Sequence, residues 1–370
     1  MTSAGPVAPT TPPLGPATPV RRGGGLRSVL LGRVLPFVLA ILLAFLVSGV
    51  VIATLGYDPI GAFESVLSTS FNTGFGFTET LTKWIPLTLI ALGFTIPLAA
   101  GRFNIGGEGQ LLVGATAAAG VGIMLADLPT AILLPLVLLA GVAGGAFWAA
   151  IPALLMGRFG VNEILSTVLL NFVSFQVLDY AATEVWPDPA AGAAATTRIG
   201  AGATLPTIGG PPGVHAGILV AVTLAAVVIV ISRSTPSGFE LRVAGSNPRA
   251  ASVNGVRVGK IAVVSLIIGG AIGGLAGGLE VAGVHDRLIE GMQSNFLLLG
   301  IIIGLIARGN ALWVPFVAFG IAVLEVGASS MQRTVGVPVE MVLIIEALLV
   351  IFLLLSDVIA KRLRLIGGPS

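Results

Sequence analysis

Long apolar runs separated by short polar interruptions dominate the chain. A helix that crosses a bilayer needs about 20 mostly apolar residues. Ten runs approach that length. They predict spanning helices near residues 34–54, 84–100, 108–126, 130–156, 163–182, 214–232, 259–282, 294–307, 310–329 and 339–358. The runs at 108–126 and 294–307 are Gly-rich or short, and read as broken or re-entrant helices as well as full spans. The fold class expected is all-α, a polytopic transmembrane helical bundle of about ten spans.

The interruptions are informative too. Residues 1–33 are rich in Pro, Ala, Thr and Gly without apolar periodicity, and read as a disordered N-terminal segment. The apolar run after it is too long for a signal peptide and lacks a clean small-residue cleavage site, so an uncleaved first span is expected. Residues 34–360 form the membrane domain and 361–370 a short tail. Two long connections interrupt it: 183–213, almost uncharged, and 233–258, basic. In the second, Asn247 is a good helix cap, Pro248 suits the first helical position and Gly255 suits the position after the end. This predicts a two-turn helix from Pro248 to Asn254, too short to span and free to lie on the surface.

Composition strengthens the membrane reading. Only 10% of residues are charged against 55% hydrophobic, and mean hydropathy is +1.02. A soluble protein carries about 25% charged residues, so lipid is the solvent this surface needs. The absence of Cys excludes disulfides, thiolate metal sites and cysteine nucleophiles. His215 and His285 are too few for a histidine metal cluster, and no metal or cofactor is expected. A net charge of +2 does not point to nucleic acid.

The placement of charge sets an orientation. With the N-terminus in the cytoplasm and ten crossings, only Lys83, Arg198, Arg287 and Arg333 of the 19 Lys and Arg fall outside. Positive charge stays inside in membrane proteins, so both termini are expected in the cytoplasm. Trp84, Trp186 and Trp313 fall near predicted span ends, where an interfacial belt places them.

Two polar stretches stand out from this background. Arg102 to Gln110 places Asn104, Glu108 and Gln110 among three glycines. Irregular polar backbone at membrane depth is tolerated where it is buried or lines a cavity, so this is a candidate translocation path; a plain turn opening the third span is the other reading. The second stretch holds Asn162, Glu163, Ser166, Thr167 and Asn171. Positions 163, 167 and 171 share one helix face, which suits a pathway or hydrogen bonding between helices. Glu280, Glu325 and Glu346 lie within or near later spans, where a proton relay or simple pairing would account for them. His285, Asp286, Arg287 and Glu290 form an external patch that either touches a delivery protein or is a solvated turn. No nucleotide-binding loop exists: Gly259-Lys260 runs into Ile261, and Asn254 stands where such a loop needs its first glycine. No enzyme constellation is present.

Four passages bring a family into view: Phe103-Asn104-Ile105-Gly106-Gly107-Glu108-Gly109-Gln110; Asn162-Glu163-Ile164-Leu165-Ser166-Thr167-Val168-Leu169-Leu170-Asn171; Gly238 to Ala251, containing Gly245-Ser246-Asn247-Pro248-Arg249-Ala250-Ala251; and Gly274 to Glu280 followed by Gly283-Val284-His285. Over roughly Gly56 to Ala360 the chain resembles ABC importer permeases of the branched-chain amino acid, simple sugar and nucleoside group. Within it, the chain is most similar to the larger permease subunit of bacterial nucleoside importers. The Pro-rich N-terminus departs from that pattern.

The resemblance implies a transport subunit, not an enzyme, in the bacterial plasma (inner) membrane. It implies a separate ABC ATPase subunit, a second homologous permease subunit and an extracytoplasmic substrate-binding lipoprotein, all set in membrane lipid, with a nucleoside as substrate. It also places the ATPase-coupling segment at Gly245, Asn247, Pro248, Arg249, Ala250 and Ala251. A simple-sugar importer permease is the alternative within the family. A proton-coupled carrier using Glu280, Glu325 or Glu346 is the alternative outside it.

Overall fold

The computed structural model describes residues 35–210 and 212–366. The expected disordered segment 1–33 lies outside them. Thirteen helices appear: α1 Leu35–Thr54, α2 Pro59–Asn72, α3 Gly74–Ala99, α4 Gly107–Met124, α5 Thr130–Phe159, α6 Glu163–Tyr180, α7 Gly217–Ser234, α8 Pro236–Ser246, α9 Pro248–Val253, α10 Val258–Glu280, α11 Phe296–Ile306, α12 Val314–Val335 and α13 Met341–Ile366. One turn of π-helix extends α6 (Ala181–Val185) and another extends α10 (Val281–His285).

A helix lies at each of the ten positions the apolar pattern marked. Six helices among the described residues are long and apolar enough to cross a membrane: α3, α5, α7, α12, and α6 and α10 with their π turns. The apolar portions of α1, α11 and α13 are shorter, at Val38–Thr54, Phe296–Ile306 and Met341–Ser356.

Helix α10 is the hub, packed on α5, α4 and α3. Its glycines make that possible. Gly274 lies directly against the Gly141 carbonyl and the backbone of Gly145, and Gly114 lies against Gly274 from the other side. A Cβ at Gly93 would meet the Gly269 carbonyl oxygen at 2.8 Å. Lipid tails are as apolar as leucine, so burial alone does not join these helices; close backbone approach does. A second layer sets α12 against α2 and α3, α13 against α1, and α11 against α3.

Two elements differ from the pattern read above. The connection expected between the first two spans contains α2. Asp58 caps it, its Oδ1 accepting from the Ile60 amide at 3.0 Å, and Pro59 opens it. Two of its hydroxyls reach α12: Ser70 donates to the Val323 carbonyl at 3.1 Å, and Thr69 to Ser330 at 2.7 Å, while Ser65 and Ser68 donate to carbonyls of their own helix. Helix α3 then begins at Gly74, ten residues before the apolar run at 84. The basic connection holds α8 as well as α9, and α8 opens on Thr235 and Pro236.

The long connection after α6 is ordered. A short hairpin pairs Thr207 with His215 and Ile208 with Val214. Isolated bridges join Pro187 to Thr196 and Ala195 to Ile289. Arg287 donates to Asp188 at 2.8 Å, tying the turn after α10 to this connection.

Candidate translocation and coupling elements

Helix α3 ends at Ala99, and Gly101 follows its cap with a φ of +74° that suits glycine. The chain then crosses to α4 through residues 101–106. The cap position of α4 is Gly106, which has no side chain to satisfy the first amides. Asn171 of α6 does so instead. Its Oδ1 accepts from the Gly109 amide at 2.9 Å, and its Nδ2 donates to the Ile105 carbonyl at 2.8 Å. One amide from a neighbouring helix thus caps α4 and holds the crossing segment.

A second amide pair closes the knot. Asn104 Nδ2 donates to Gln110 Oε1 at 3.0 Å, and Gln110 Nε2 donates back to Asn104 Oδ1 at 2.9 Å. Asn104 Oδ1 also accepts from the Gly106 amide at 3.1 Å. All three amide side chains are buried. Such a network is strong when every member is satisfied. Arg102 and Glu163 stand 3.5 Å apart and join the crossing segment to the start of α6.

The eight candidate path residues therefore divide. Asn104 and Gln110 pair through their side-chain amides, and Asn171 holds the backbone of Ile105 and Gly109. Ser166 and Thr167 are buried and donate to carbonyls of their own helix, at Asn162, Glu163 and Ile164. Asn162 is exposed and caps α6, accepting from the Ile164 amide at 2.8 Å. Glu163 faces Arg102. Glu108 alone is half-buried with no hydrogen bond or ion pair among the described residues. Sequence reasoning missed Trp148 of α5. Its buried Nε1 has no partner, and a side chain at Gly109 would meet it at 2.9 Å. A single Trp inside a long apolar run gives no local sign of this role.

The coupling candidates lie directly beside the knot. Gly245, near the end of α8, packs on Ala99 and Gly101, and a Cβ there would meet the Gly101 amide nitrogen at 2.9 Å. Asn247 ends α8 and caps α9, its Oδ1 accepting from the Ala250 amide at 3.0 Å. Pro248 opens α9, and Gly255 follows it with a φ of +83°. Ala251 is fully buried as the anchor, while Arg249, Ala250 and Val253 are exposed, Val253 at 87%. Helix α9 thus presents an outward surface, and Gly245 just before it packs on the start of the segment carrying Arg102 and Asn104.

The remaining ionisable groups fall into separate places. Glu280 is buried beside His285, with Nε2 and Oε2 3.4 Å apart. Glu346 is fully buried, and neither carboxylate oxygen has a partner. Lys83 Nζ lies 5.4 Å from the centre of the Phe296 ring. His215, in the hairpin before α7, is buried against Gly217 and Gly283 with neither nitrogen partnered among the described residues, and burial pushes its pKa down to about 4.

Comparison with known proteins identifies the family. Residues 76–354 match the family described as branched-chain amino acid transport system / permease component. A glucose ABC transporter permease protein of Haloferax volcanii is 37% identical over 88% of each chain. A guanosine ABC transporter permease protein of Bacillus subtilis is 32% identical over 87% of this chain and 93% of its own. A nucleoside ABC transporter permease protein of Lactococcus lactis is 26% identical over 90% and 93%. No solved structure matches the chain.

Proposed function

The chain belongs to the branched-chain amino acid transport system permease family and is an ABC transporter permease, and we propose that it carries nucleosides inward across the bacterial plasma membrane. The observation that supports the importer mechanism is the contact between α8, which leads into the exposed helix α9, and the start of the 101–106 crossing, through Gly245 on Gly101. Nucleosides are favoured as cargo by the guanosine and nucleoside permeases among the relatives.

In this mechanism a separate ATPase subunit grips α9, with Arg249 and Ala250 against it and Ala251 holding the helix to the bundle. Closure of the ATPase pulls on α8 and hence on the 101–106 crossing. The bundle rocks between two arrangements and opens to one side at a time. Glu108 faces the path. Asn104, Gln110 and Asn171 hold its wall, and Asn162, Glu163, Ser166 and Thr167 flank it on α6. A second homologous permease completes the path, and a binding lipoprotein delivers substrate onto the external loops, including 183–213. All ten helices at the apolar positions cross, and both termini are cytoplasmic.

Uptake of a labelled nucleoside, with and without the gene, tests the cargo. Gene-dependent uptake blocked by excess nucleosides and not by sugars is expected. Gene-dependent uptake of glucose, with nucleosides inert, would replace nucleoside by sugar; the Haloferax volcanii relative favours that second reading. Coupling has its own test. Ala250→Glu is expected to abolish uptake with membrane insertion intact, since its side chain points outward and its loss disturbs no packing. Normal uptake by that variant removes α9 from the mechanism.

A further inference from the structure

Two adjoining crevices lie where the ends of α3 and α7, helix α8 and the start of α10 meet. They enclose about 450 and about 400 Å3 and share Ile96, Ser232, Gly238 and Leu241 on their walls. The larger is apolar along its length, lined by Val228 and Ile231 of α7 and by Ile261, Val264 and Ile268 of α10. Ile231, Val264 and Ile268 are each more than 40% exposed, so the crevice opens outward between the helices.

Its mouth is basic. Arg257 and Lys260 line the larger crevice, and Arg233 and Arg242 the smaller. All four are exposed, and none forms an ion pair among the described residues. Glu240 is the one acid on these walls. An apolar slot capped by unpaired cations calls for an occupant with an anionic head and a long apolar body.

We propose that this double crevice binds an anionic phospholipid, its phosphate among Arg257, Lys260, Arg233 and Arg242 and an acyl chain between α7 and α10. Basic pockets between membrane helices at the inner surface have the chemistry for phospholipid headgroups. Lys and Arg stems cover apolar surface while their charges stay at headgroup level. An acidic segment of a soluble subunit would satisfy the cations and leave the slot between Val228 and Ile268 unfilled. A second copy of this chain would bring like charge to the mouth. Because the crevice contacts α8, which leads into α9, the bound lipid steadies the coupling segment.

The test is lipid retention by the purified importer complex, reconstituted in equal phosphatidylglycerol and phosphatidylcholine and then stripped with mild detergent. Mass spectrometry of the lipid that remains reads the outcome. Wild type is expected to keep phosphatidylglycerol in roughly tenfold excess. Arg257→Gln with Lys260→Gln is expected to lose that excess. Val264→Trp, which fills the slot and leaves every charge in place, is expected to lower retention as well, so misfolding of the charge variant does not decide the matter. Equal retention of the two lipids by wild type overturns the proposal. So does unchanged retention in Val264→Trp, which would reduce the effect to surface charge. The readout needs no substrate, so it stands or falls apart from the nucleoside reading.

Discussion

Two buried polar regions of this bundle are built on opposite principles. Where α3 passes into α4, Asn104, Gln110 and Asn171 are buried and fully engaged, each amide meeting a backbone group or another amide. In α13, Glu346 is equally buried, and both its oxygens are unpartnered. A buried polar group away from water must find a partner or give up its charge. The first region solves that with geometry and becomes rigid. The second keeps an unspent polar group with no partner among the described residues. The comparison separates polar residues that hold the structure from one that the structure merely tolerates, and substitutions at each should behave differently.

The largest effect is expected at Asn171. Asn171→Leu orphans the Gly109 amide and the Ile105 carbonyl together. Leaving a buried donor or acceptor unmade costs about 1–3 kcal/mol each, so a loss of about 3 kcal/mol is expected. Thermal unfolding of the purified protein should show it, and uptake should fall with it. A variant as stable as wild type would mean that water or another side chain takes over the cap, and that the knot is not the rigid element proposed.

The next effect comes from His215, which resembles Glu346 in being buried without partners but lies outside the spanning helices. Burial lowers its pKa from 6.5 to about 4. Between those values the unfolded chain binds more protons than the folded one, so stability is intact above 6.5 and declines as pH falls toward 4. At about pH 5 the loss amounts to about 2 kcal/mol. His215→Phe should remove that slope between neutral pH and about pH 5. An unchanged slope would assign the acid sensitivity to other groups.

How much of this was legible beforehand follows from the range of each interaction. Helix α9 could be read because its determinants are local: Asn247 caps, Pro248 starts and Gly255 stops within nine positions. The same cap-then-proline signature opens α2 at Asp58-Pro59 and α8 at Thr235-Pro236. Neither is read as a helix from the sequence alone, and α2 turns Thr69 and Ser70 of its polar face to α12. The polar stretches were visible as anomalies in an apolar chain. Their pairing was not, since Asn171 reaches a backbone amide 62 positions away. Periodicity shows which face of α6 is polar, and only the packing of α6 on α4 shows what that face meets. The glycines of α10 were legible as close-packing residues, while the choice of α3, α4 and α5 as partners required the fold.

Glu346 gives the smallest expected change in stability and the sharpest test of what drives transport. Among the described residues its carboxyl makes no hydrogen bond and no ion pair. Glu346→Gln keeps the shape and removes the titratable proton. Glu346→Leu removes the polar group altogether, and replacing an unsatisfied buried polar group by an apolar one of similar size is close to neutral or stabilising, by about 1 kcal/mol. If a separate ATPase drives the cycle, as proposed, no proton need cross at this position. Both variants should therefore retain uptake, and uptake by both should depend on ATP and not on a proton gradient. Loss of uptake in Glu346→Gln with unchanged thermal stability would give the carboxyl a transport role. Abolition by an uncoupler with ATP held constant would then favour a proton-driven carrier over an ATP-driven importer.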